Sequence, residues 1–219
     1  AAAPASRFPS GIDTLSREQI RAPQTTGTQL TGATGPTETS AFPPDTMGAV
    51  GKTQFVVFLN GRMRTFNKAT GVADGVLNVS PNVFFSAVMT PPQAGEIVFT
   101  SDPNVRYDRL SGRWFLTIID VILDGTTFAT TRPNRILIAV SDAASNGVLT
   151  GGTVFTMYQF QGDATLFTDY PSLGIDANAL YIGGNMFALV GSFNSTKGFV
   201  IPKAPLLTGA AATVWQFPG

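Results

Sequence analysis

The stretch from Ser101 to Asp120, SDPNVRYDRLSGRWFLTIID, limits what this chain can fold into more than any other. Asp102-Pro103 opens it and apolar residues alternate through Val105 and Tyr107. Ser111-Gly112 supplies a turn, and Trp114, Phe115, Leu116, Ile118 and Ile119 follow. An alternating run, a short glycine-containing turn and a run rich in aromatic and β-branched residues predict a β-hairpin. Asp102, Arg106, Asp108 and Arg113 are interleaved with the apolar positions, so charge lies beside a well-buried strand pair.

The pattern occurs twice more, in PPDTMGAVGKTQFVVF and TDYPSLGIDANALYIG. Each copy sets an Asp beside Pro, then a short strand, a polar turn and an aromatic-led strand. Asp45, Asp102 and Asp169 recur at intervals of 57 and 67 residues, and the leading aromatics are Phe55, Trp114 and Tyr181. Repetition near the length of a four-stranded blade predicts an all-β protein built of about three β-propeller blades. A sandwich of two sheets is the rival architecture, since it also uses many short strands.

Along the chain, 1–40 reads as an irregular N-terminal extension, with one helical turn at Thr14–Ile20 and a Thr/Gly-rich run of no apolar period. The blades occupy 41–219. Met47–Gly51 and Gln54–Leu59 are expected strands, Asn60-Gly61 is a type I′ turn signal, and Arg62–Phe66 is the partner strand. Val76–Phe85 is a looser strand, and Glu96–Thr100 leads into the central hairpin. Arg135–Val140 and Val154–Phe160 are two more strands. Ser172–Ile175, Leu180–Ile182, Phe187–Val190, Gly198–Ile201 and Ala211–Phe217 complete the set, with a bulge or a close backbone approach at Gly183-Gly184-Asn185. No helix of three turns is expected. Phe55, Val57, Trp114, Leu116, Ile118, Ile136, Ile138, Val140, Tyr181 and Phe199 are the predicted core.

PPDTMGAVG, DPNVRYDRLSGRWFL and DYPSLGID with LYIGGNMF, in this order, resemble a family of secreted bacterial β-propeller proteins of unsettled activity. The resemblance covers about 42–190 and implies an exported scaffold, secreted or at the bacterial cell surface, and no particular reaction. Propellers of that kind run further than three blades, and closed rings have about 4–8. The expectation is therefore an incomplete ring, completed by another protein chain or by a homo-oligomer. The Ala-rich AAAPAS start resembles what remains after a secretory signal is removed.

Composition narrows the chemistry. Lys+Arg 14 against Asp+Glu 14 gives no net charge, which removes the electrostatic case for nucleic acid. No apolar run is long enough to span a bilayer. With Cys 0 and His 0, disulfides, thiolate and imidazole metal sites, cysteine nucleophiles and Ser-His-Asp chemistry are all excluded. Catalysis by this chain would have to use carboxylates, Tyr, Lys, Arg or a bound metal.

Asp45, Asp102 and Asp169 are the candidate ligand-binding residues, with Arg106, Tyr107 and Tyr170 beside them. If each Asp starts an inner strand, the three ring one mouth of a central channel. There they would hold a cation through oxygen, calcium being the one cofactor candidate, or flank a glycosidic bond as acid and base. The plainer alternative is that each Asp caps its own turn. Arg106, Tyr107, Asp108, Arg113 and Trp114 would make a sugar-binding face if Trp114 were exposed. The structural alternative packs Trp114 between blades and pairs Asp108 with an arginine. Two functions follow: an exported, non-catalytic module for binding (a glycan, for instance) or structural assembly, and a carboxylate-dependent glycan hydrolase or lyase.

Overall fold

The computed structural model describes residues 41–219, which form three four-stranded antiparallel sheets. The expected extension 1–40, including its helical turn, lies outside the described residues. The first sheet runs β1 (Met47–Val50), β2 (Gln54–Leu59), β3 (Arg62–Asn67) and β4 (Ala73–Val79) in spatial order. The second holds β5 (Glu96–Asp108), β6 (Arg113–Asp124), β7 (Arg135–Ser141) and β8 (Phe155–Gln161). The third holds β9 (Phe167–Ile175), β10 (Ala179–Phe187), β11 (Phe193–Pro202) and β12 (Trp215–Pro218). Every connection within a sheet joins neighbours, so each sheet is an up-and-down meander. The protein is all-β, as the alternating patterns require.

The central hairpin is the longest, because apolar residues continue through Val121 and Ile122 on β6 and are matched by Glu96–Ser101 on β5. A bulge between Ser101 and Asn104 interrupts it at Asp102-Pro103, where proline removes a ladder donor. The bulge expected in the third unit is also present, between Gly183 and Asn185. The two faces of β6 then divide the core. Trp114, Leu116 and Ile118 pack with Val56, Phe58 and Met63 of the first sheet. Phe115 and Ile119 pack with Leu173, Leu180, Ile182 and Phe199 of the third. The second sheet is thus buried on both faces, which accounts for its unbroken apolar runs.

Five expectations need correction. The segment expected as a strand from Val76 to Phe85 ends its strand at Val79 and turns into a short helix, α1 (Pro81–Phe84), led by a proline at its first position. Phe187–Val190 is not a strand of its own: Phe187 ends β10 and 188–190 lie in the turn to β11, whose own continuation is a second helix, α2 (Lys203–Thr208), ended by Gly209 in the left-handed conformation. The Asn60-Gly61 turn is not type I′, because only Gly61 of the pair has positive φ. Phe55 and Tyr181 are not core residues: they remain 37% and 42% exposed. Their neighbours Val56, Leu180 and Ile182 are buried instead. A strand's side chains alternate, so Tyr181 lies on the face opposite buried Leu180 and Ile182, whereas Phe55 shares a face with buried Val57 and Leu59 but lies outside their cluster near the start of β2. The other eight predicted core residues are buried.

Candidate functional site

The first strands of the three sheets, β1, β5 and β9, lie side by side in chain order. Asp45 lies just before β1, Asp102 at the bulge in the middle of β5 and Asp169 near the start of β9, and the strand placement brings them together. Asp102 is in the middle, near enough to Asp45 on one side and Asp169 on the other for the carboxyl charges to act on one another. The backbone here is unusual as well: Asp45 (φ 42), Asp102 (φ 58) and Tyr170 (φ 49) are all left-handed. Aspartate tolerates that region better than most residues, whereas tyrosine does not.

Asn60 holds the cluster. Its side-chain amide donates to the Asp45 carboxylate at 2.8 Å and to the Pro43 carbonyl at 2.9 Å, and its carbonyl accepts the Asp102 N–H at 2.9 Å. Asp102 then accepts the Tyr170 N–H at 3.2 Å. One polar chain therefore runs from the first sheet through the second to the third. Burial, then the Asp102 charge, push the Asp45 carboxyl up, against the opposing pull of Asn60. Burial, then the Asp169 charge, push Asp102 up more than the Tyr170 N–H and Ser101 hydroxyl pull it down. Sequence reading missed Asn60 because it was accounted for as a turn residue.

These carboxyls do not cap their own turns alone, nor do they enclose a point. Among the described residues no three such side chains stand close enough to hold a metal ion. Arg106 and Tyr107 do not join them. Arg106 is exposed and donates to the Val105 carbonyl at 2.9 Å. Tyr107 lies against the Trp114 ring, centroids 5.0 Å apart. Tyr170 contributes its backbone to the cluster while its ring stays 47% exposed.

The sugar-binding face is not formed. Trp114 is fully buried between the first two sheets and its indole N–H donates to the Gly147 carbonyl at 3.0 Å. Asp108 pairs not with an arginine but with buried Lys203 of α2, at 2.9 Å. That pair, supported by Ser111, joins the tip of the central hairpin to the third sheet.

A second surface stands out on the third sheet. Leu180, Ile182 and Phe199 face the core, so Tyr181, Gly183, Gly198 and Val200 face away from it. Tyr181, Trp215 and Phe217 are 42%, 59% and 56% exposed there. Comparison with known proteins found no matching family model, no similar curated protein and no similar solved structure. Among the described residues no helix is long and apolar enough to cross a membrane.

Proposed function

We propose that the three sheets are consecutive β-propeller blades and that the chain is an exported, non-catalytic module for binding or structural assembly. In this reading it is one part of a larger ring completed by another chain. The observation that carries it is the outward face of the third sheet. Its counterpart on the second sheet, Phe115, Ile119, Ile136 and Ile138, is fully covered by the third. The same aspect of the third sheet exposes Tyr181, Trp215 and Phe217. A sheet face bearing three exposed large aromatics is a partner-seeking surface.

The resemblance of PPDTMGAVG, DPNVRYDRLSGRWFL and DYPSLGID to secreted bacterial propellers supports the fold, and it alone supports the secreted location. The carboxyl cluster is the place for a glycan or other polar ligand on this scaffold. A glycan hydrolase or lyase would draw on the same three carboxyls. Glycosidases hold their carboxyl pair about 5–10 Å apart. The separation of the Asp45, Asp102 and Asp169 carboxyls therefore discriminates between the two readings. Mass measurement of the purified chain tests the proposal: a stable, soluble monomer of 23.1 kDa at all concentrations, with no associating chain, would refute it. A glycan array with a turnover screen tests the other reading. Turnover abolished by Asp102→Asn would overturn the non-catalytic assignment.

A further inference from the structure

The register rules the outward face of the third sheet into rows. Gly174, Tyr181, Val200 and Trp215 form one row, and Ser172, Gly183, Gly198 and Phe217 form the next. The first is a ridge. The second is a trough over β10 and β11, opening into a groove of about 390 Å³ that Tyr170, Asn185 and Thr196 border on the far side. Glycine within a strand costs roughly 0.5–1 kcal/mol relative to alanine. Yet neither trough glycine has a positive φ: a Cβ on Gly198 would meet its nearest neighbour at 3.7 Å, an ordinary contact, and one on Gly183 would meet only the rotatable Ser172 hydroxyl, at 3.1 Å. The isolated chain does not need glycine there. Strand glycines of this kind mark close approach by another backbone or a ligand.

We infer that this face binds a second copy of the chain across a two-fold axis lying along the rows, each ridge entering the other copy's trough. With the axis between the two rows, Tyr181 sits over Gly183 of the second copy, Val200 over Gly198, and Trp215 against Phe217. A two-fold contact presents the same patch from both sides, so a face with a ridge beside a trough is self-complementary in this orientation. An axis along the strands would instead set ridge on ridge. Charge does not oppose the contact: Lys197 is paired with Asp163, and Asp176 accepts the Tyr181 hydroxyl at 3.0 Å.

The contact continues a mode already used twice in the chain, sheet face on sheet face. The rows run from β9 out to β12, so an axis along them leaves β9 of both copies at the same edge. Six sheets then follow one another in a single series, within the usual 4–8 blades. The inference rests on the proposed ring and names its missing partner. Four strands about 4.8 Å apart and three rows about 6.8 Å apart give a flat footprint of about 300–400 Å². Stable interfaces bury about 800 Å² per partner, so the dimer should depend on concentration.

Sedimentation velocity of the full chain, from about 1 to 200 μM, is the test. The expected result is a mass rising toward twice 23.1 kDa. Gly198→Leu fills the trough and Tyr181→Arg removes the ridge, and each should raise the midpoint concentration at least about tenfold while leaving the circular dichroism unchanged. Separate Ser172→Cys and Gly174→Cys preparations, mixed and treated with a short bismaleimide, should crosslink to each other, since the chain has no cysteine of its own. A monomer at every concentration overturns the inference. So does a dimer indifferent to both substitutions, which would use another surface. Should the chain stay monomeric but bind a different protein through this face, the second-copy inference fails while the ring reading stands.

Discussion

Replacing Lys203 with methionine is the sharpest probe of how the third sheet is fastened to the second. The ammonium and the Asp108 carboxylate are 2.9 Å apart, with side chains only 4% and 6% exposed. Methionine keeps the apolar stem but leaves Asp108 buried with only Ser111 and backbone N–H groups as partners. Removing one partner of a buried pair costs about 3–5 kcal/mol, because the surviving charge is stranded. Solvent screening does not reduce that figure at this burial. The pH dependence supplies a second reading. Burial pushes the Asp108 carboxyl up, but the Ser111 hydroxyl, Lys203 and the Leu110 N–H together hold it below its ordinary value. A carboxylate lowered in the native state contributes stability that is complete above its unfolded value of about 3.9 and is lost as pH falls through the native value. Urea unfolding of wild type and Lys203→Met should therefore differ by about 3–5 kcal/mol at pH 7 and by less at acid pH, where Asp108 protonates. A difference below about 1 kcal/mol at pH 7, or one independent of pH, would refute the argument.

Three further outcomes are expected. Trp114→Ala should cost about 3–5 kcal/mol in urea unfolding, and a loss under about 1 kcal/mol would contradict its packing between sheets. Asn60→Ala removes three hydrogen bonds and leaves the Asp102 N–H unpaired, at about 1–3 kcal/mol, readable as a lower unfolding midpoint; no change would mean the cluster is not held by Asn60. Asp45 and Asp102 are raised in the native state, so their contribution to stability grows as pH falls through those raised values and levels off below about 3.9. Asp102→Asn should remove the Asp102 share of that acid-side gain, and a variant whose pH profile overlays the wild type would refute the raised Asp102 carboxyl.

Much of the fold could be read from the sequence because the strands alternate cleanly and their turns carry Gly, Asn and Asp at the right spacing. What the local pattern does not carry is which face of a strand meets a neighbouring sheet. Phe55, Trp114 and Tyr181 head similar runs, yet only Trp114 is buried. Lys203 was invisible for a related reason: nothing near it in the chain announces a buried cation, since Asp108 lies 95 residues away. At the candidate site, the recurrence of Asp beside Pro was enough to single out the three carboxyls. That they gather at one place depends on how closely β1, β5 and β9 pack. Arg106 and Tyr107 were grouped with them by proximity in sequence, which a bulge at Asp102-Pro103 undoes.

Hairpin tips are ordinarily where a chain tolerates inserted sequence. The tip at Asn60-Gly61 is an exception, because its amide is tied to Pro43 and Asp45 on its own sheet and to Asp102 on the next. Lengthening it by one residue would move all three contacts at once. The tip between β10 and β11 is the opposite case: Val190 is 91% exposed and a Cβ on Gly191 would meet nothing within 4 Å. An affinity tag or reporter placed there should leave the sheets undisturbed, while the same graft at Asn60 would cut the thread between them.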